Sequence, residues 1–142
     1  MRRRLLLLAC ALRALFVSRP ALSSEEPKPS ATPAPKKFAL PGEAIRDLVP
    51  MFGGALATDR IMVDAQKVGY MYREKPANPQ DTGWRFFSGD EDQAYLDDLR
   101  HTGIYAVNTV ANYDPDIIPY VATAAPCAFE KIPGTTTYRR VE

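Results

Sequence analysis

Four residues constrain the fold of this chain more than any others. Trp84-Arg85-Phe86-Phe87 alternates Trp84 and Phe86 with Arg85 and Phe87, so an aromatic ring falls on both sides of an extended segment. A strand of that kind has no face to give entirely to solvent, and it is expected in the centre of a sheet. The polar loop KPANPQDTG precedes it. Upstream, the β-rich runs LATDRIMVD and KVGYMYRE flank a polar Asp64-Ala65-Gln66 turn and read as a hairpin, with Val68, Tyr70 and Tyr72 alternating against Gly69, Met71 and Arg73. Downstream, PCAFEKIPGTTTYRRV reads as two short strands around Pro133-Gly134.

Short helices are expected between these strands. GEAIRDLVPMF sets Ile45, Leu48, Val49 and Phe52 at helical spacing before Pro50 and Gly53-Gly54 end it. Ser88 followed by Glu91 has the form of a capping box, with Asp90 as an alternative cap, and predicts a helix to about Leu99 that turns Tyr95, Leu96 and Leu99 inward. Ile104, Val107, Val110 and Ala111 recur at helical spacing, and Asp114-Pro115 reads as a cap followed by proline at the first helical position, in a helix kept short by Pro119. Together these elements describe one small α+β domain, a curved and mostly antiparallel sheet with short helices packed on one side.

The domain does not fill the chain. Residues 1–23 have the form of a signal peptide: Arg2, Arg3 and Arg4, an apolar run from Leu5 to Leu12, and a small-x-small site before Ser24. Arg13 and Arg19 interrupt the apolar stretch and argue against a membrane span. The expected location is outside the cytoplasm, periplasmic or extracellular, with a lipid on Cys10 as a minor alternative. Residues 24–37 are rich in Pro, Ala, Ser and Lys and read as a semi-extended tether, leaving 38–142 as the domain.

Charge divides the same way. Residues 1–37 hold eight Lys or Arg against two Glu, and residues 38–142 hold ten against fifteen Asp or Glu, so the +1 total conceals an acidic domain. Nucleic acid is not an expected partner, because the positive excess lies in the head and tether rather than on a folded face. Catalysis is not expected either. Once the head is removed Cys127 is alone, the single His101 sits in a helix-ending turn, and no phosphate loop, nucleophile elbow or metal-spaced histidine occurs. DEDQAYLDDL has Tyr95 where a calcium loop needs glycine, and the sequence implies no cofactor and no metal.

The acids concentrate between Asp81 and Pro119, eight against Arg85 and Arg100. The helix dipole accounts for Asp90, Glu91 and Asp92 in a first turn, but Asp97 and Asp98 in a last turn run against it. A one-signed field beside aromatic side chains suits capture of a basic protein partner. On that reading the contact residues are Asp90, Glu91, Asp92, Asp97, Asp98, Tyr105, Tyr113, Asp114 and Asp116, with Trp84 and Phe86 assigned to the core.

The succession TDRIMVDAQKVGYMYRE, GWRFFSGDED, GIYAVNTVANYDPDIIP and AFEK resembles the bacterial immunity protein 33 family, over roughly residues 53–131. The resemblance implies a small domain that binds and neutralises a cognate protein toxin, its partner. The alternative is an exported, envelope-associated structural or interaction module with no toxin.

Overall fold

The computed structural model describes residues 34–51 and 53–142. The expected signal peptide, most of the tether and Phe52 lie outside the described residues. Six strands, β1 Gly54–Thr58, β2 Tyr70–Arg73, β3 Asp81–Phe87, β4 Thr102–Ala106, β5 Cys127–Lys131 and β6 Tyr138–Val141, form one mixed sheet in the order β4-β1-β3-β2-β5-β6. Only the β1/β3 pair is parallel. β3 is interior to the sheet, as the two-faced aromatic pattern of 84–87 requires. Its Gly83 has φ +82°, and a Cβ there would come within 2.0 Å of the Glu74 carbonyl oxygen, so the close approach of the β2–β3 connection depends on glycine.

Three short helices, α1 Asp59–Met62, α2 Gln93–Asp97 and α3 Val107–Tyr113, join the strands. Ala55, Ala57, Met71, Trp84, Phe86 and Phe129 from the sheet pack with Ile61 and Met62 of α1, and with Val107, Val110 and Ala111 of α3, in one core. Trp84 is fully buried, stacks on Phe86 and Phe129, and donates from Nε1 to the Val121 carbonyl at 3.0 Å.

Four local expectations are corrected. First, LATDRIMVD is not one strand, and β1 and β2 are not a hairpin, because β3 lies between them. Ile61 and Met62 are adjacent and both buried. An extended chain would turn one of them outward, whereas the single turn of α1 directs both into the core.

Second, residues 45–51 are not helical: only a 3-10 turn forms nearby, at Gly42–Ala44. The segment instead runs against α3, whose Asn108 Oδ1 accepts from the Leu48 and Val49 amides at 2.7 and 3.1 Å. Asn112 Oδ1 accepts from the Arg46 amide at 2.8 Å, and both Asn side chains donate to the Arg46 carbonyl. These side-chain amides satisfy backbone groups that a helix would have paired internally. Asn108→Ala should therefore loosen residues 45–49 and cost about 1 to 3 kcal/mol, since several hydrogen bonds go at once. Amide exchange at Leu48 and Val49 that remained as slow as in the parent would count against this zipper.

Third, Ile104 lies in β4 rather than in a helix and is 77% exposed on an edge strand. Fourth, Leu99 begins a separate 3-10 turn, Leu99–His101, and is 83% exposed instead of facing the core. The Asp114 cap with Pro115 at N1 forms as expected, on a 3-10 turn Pro115–Ile117, and β5 and β6 form the terminal hairpin.

Candidate partner-binding face

The acidic run begins where β3 leaves the sheet. Ser88 and Gly89 turn the chain, and Glu91 folds back to accept from both their amides at 2.8 Å and from Thr58 Oγ1 of β1 at 2.5 Å. Half of the capping box is thus realised, Glu91 to the Ser88 amide. The Ser88 hydroxyl bonds Asp90 instead, and the cap of α2 is Asp92, which accepts from the Tyr95 amide at 2.8 Å. Burial alone would raise the Glu91 pKa, but its three donors outweigh it and hold the carboxyl below its ordinary value. Asp90 is lowered first by its bond from Ser88, with Arg60 assisting.

The awkward acids at the end of the helix have a local explanation. Asp98 caps the next turn, accepting from the Arg100 amide at 3.0 Å, and its carboxylate pairs with the Arg100 side chain at 2.7 Å. The Arg100 hydrogen bonds hold the Asp98 pKa far below the carboxylate range. Asp97 accepts from Gln93 Nε2 at 2.8 Å. α2 is steadied by Tyr95, whose ring stacks on His101 with centroids 4.0 Å apart and lies under the Arg60 guanidinium at 5.0 Å.

Not all of the eight acids contribute free charge. Asp81 is bound by the nearly buried Arg85 at 2.9 Å, and Asp116 takes Lys131 at 2.9 Å. Asp114 is fully buried. It accepts from the Val68 amide at 2.9 Å and the Asp116 amide at 3.1 Å, and it stands 3.3 Å from Lys131 Nζ. Such an atom set organises the interior and offers no contact surface. Among the described residues, Glu91, Asp92 and Asp97 have no cation within salt-bridge distance.

The two tyrosines expected as contacts are engaged by the segment N-terminal to β1. Tyr105 packs edge-on against Phe38, and the Tyr113 hydroxyl accepts from the Leu40 amide at 3.0 Å, so the segment N-terminal to β1 partly covers both. The aromatic surface beside the acids is a different one. On the sheet face opposite the core, Tyr70 and Tyr72 of β2 and Phe87 of β3 form a half-buried cluster, with the Tyr72 and Phe87 rings stacked at 5.9 Å. They line a cleft of about 680 Å³ whose walls include Ser88, Asp90, Glu91, Leu96 and Glu130. Gly69 keeps one wall close, since a Cβ there would meet the Ser88 carbonyl oxygen at 2.0 Å. Burial raises the Tyr72 hydroxyl pKa, with Glu74 adding to it. The signal for this cluster was the alternation of Tyr70 and Tyr72 against Met71, matched by Phe87 against Phe86.

Among the described residues no group of three or more His, Cys, Asp or Glu is placed to hold a metal ion, and no helix is long and apolar enough to cross a membrane. Fold and surface together define a small α+β domain with an exposed acidic turn beside an open aromatic sheet face.

A family model described as Immunity protein Imm33 domain matches residues 55–142, and the chain belongs to that family. The match starts within β1 and runs through the β5/β6 hairpin, while the segment held by Asn108 and Asn112 lies N-terminal to it. No curated protein and no solved structure matches the chain.

Proposed function

We propose that the protein is an immunity protein that neutralises a cognate toxin by stoichiometric binding, without chemistry of its own, and that the acids from Asp90 to Asp98 guide the encounter. Membership of residues 55–142 in an immunity domain family is the observation that carries this reading. The acidic turn supports the choice of face: Asp92 and Asp97 are exposed and, among the described residues, have no cation within salt-bridge distance. Charge so placed accelerates association with a basic surface more than it strengthens the finished complex. Tyr70, Tyr72 and Phe87 supply the apolar area that a charged rim alone lacks.

The double variant Asp92→Asn with Asp97→Asn tests this without unfolding α2, because asparagine caps a helix about as well as aspartate. With the toxin that the purified domain retains from its own organism as partner, association at low salt should slow by roughly 3- to 10-fold and its salt dependence should flatten. The melting temperature should hardly move. Surface plasmon resonance at several salt concentrations reads this directly. An on-rate and salt slope equal to the parent's would remove the acidic turn from the proposal.

A further inference from the structure

The cleft over the outer sheet face has a chemistry more specific than "acidic". Of its charged walls, Lys131 is committed to Asp116 and Asp114, and Glu130 to Arg139 at 2.7 Å. What remains is Asp90, whose nearest cation is Arg60 at 3.8 Å, and Glu91, which is held by neutral donors. Among the described residues the cleft therefore carries one carboxylate without an ion pair, Glu91, and a second, Asp90, with only the longer Arg60 contact, beside an aromatic lining of the stacked Tyr72 and Phe87 rings with Tyr70 next to them. A volume of about 680 Å³ admits a long side chain with part of the loop that bears it.

We propose that this cleft receives an arginine side chain from the partner, its guanidinium lying against the Tyr70, Tyr72 and Phe87 cluster and its charge answered by Asp90 and Glu91. A guanidinium fits both demands at once. It is planar and weakly hydrated, so it stacks on aromatic faces, and its edge donors match carboxylate oxygens, whereas the compact ammonium of lysine does neither as well. The inference rests on the binding role above and names the chemistry that role selects in the toxin.

The test uses small probes on the isotopically labelled full chain, followed by NMR. N-acetyl-arginine methylamide should shift the amides of Gly69, Ser88, Gly89 and Glu130 in a saturable way at millimolar concentration. Its uncharged isostere, the citrulline derivative, should bind at least about 5-fold more weakly. Asp90→Asn should weaken the arginine response. Tyr72→Leu should do the same provided the spectrum stays dispersed, and Asp90→Asn keeps the test decisive if it does not. Equal response to citrulline, or no saturable shift, overturns the proposal. So does movement of the same amides on raising protein concentration alone, which would make a second copy the occupant. Toxin neutralisation is read separately, so a cleft that ignores guanidinium in a protein that still neutralises would sink this inference and leave the immunity role standing.

Discussion

Trp84→Ala is expected to destabilise the domain by about 3 to 5 kcal/mol, which for a domain of typical stability is much of the whole. The ring is fully buried, stacks on Phe86 and Phe129, carries the Arg73 guanidinium over its face at 5.8 Å, and anchors Val121 through its indole N–H. Removing it leaves a cavity beneath the centre of the sheet that helices this short cannot close. Trp84→Phe keeps most of the packing and loses the hydrogen bond, so its cost should be nearer about 1 to 2 kcal/mol. Urea unfolding of both variants measures the difference. A Trp84→Ala loss below about 1 kcal/mol would mean that the core does not depend on this ring.

The second large effect is expected at Asp114. Its carboxylate satisfies the Val68 and Asp116 amides and faces Lys131, itself only 17% exposed. Asp114→Ala would leave the buried Val68 amide without its acceptor and the partly buried ammonium with Asp116 as its one remaining partner, at a cost of about 2 to 4 kcal/mol. The pH dependence gives an independent signature. Burial works against the Lys131 charge, but Asp116 and Asp114 outweigh it and raise its pKa above the ordinary lysine value. A group raised on folding contributes stability that is fully present below its unfolded pKa and is lost as pH rises through the folded one. Parent stability should therefore fall on the alkaline side of the ordinary lysine value, and Asp114→Ala should show a smaller alkaline fall from an already lower plateau. Identical alkaline limbs would show that Asp114 does not hold Lys131.

How far the sequence revealed this molecule depended on whether the deciding contact was local. The period-two pattern of 84–87 located the sheet centre because each residue reports its own side. Asp114-Pro115 was legible as a cap because the Asp116 amide is two residues away. That the same carboxylate is buried was not legible, because Val68 and Lys131 reach it from 46 and 17 positions off. Helical spacing from Ile45 onward was outweighed by Asn108 and Asn112, which lie 59, 60 and 66 residues downstream of the amides they bind. Asp98 looked misplaced only while one helix was assumed to reach Leu99, whereas Asp97 does end α2 and is met there by Gln93 Nε2. With the chain breaking at Asp98, that residue becomes the cap of the 3-10 turn Leu99–His101. The aromatics beside the acids were in view as a strand alternation, but which face of the sheet lay open required the positions of α1 and α3.

Neutralisation by stoichiometric capture is read out by titrating the activity of the toxin that the purified domain retains from its own organism against purified protein, at toxin concentrations well above their dissociation constant. Capture requires a linear fall in activity that reaches zero at one equivalent, with intact toxin recovered when the complex is separated. Loss of toxin activity at a small fraction of an equivalent, progressing with time, would reveal turnover and contradict capture, as would full toxin activity in the presence of excess protein.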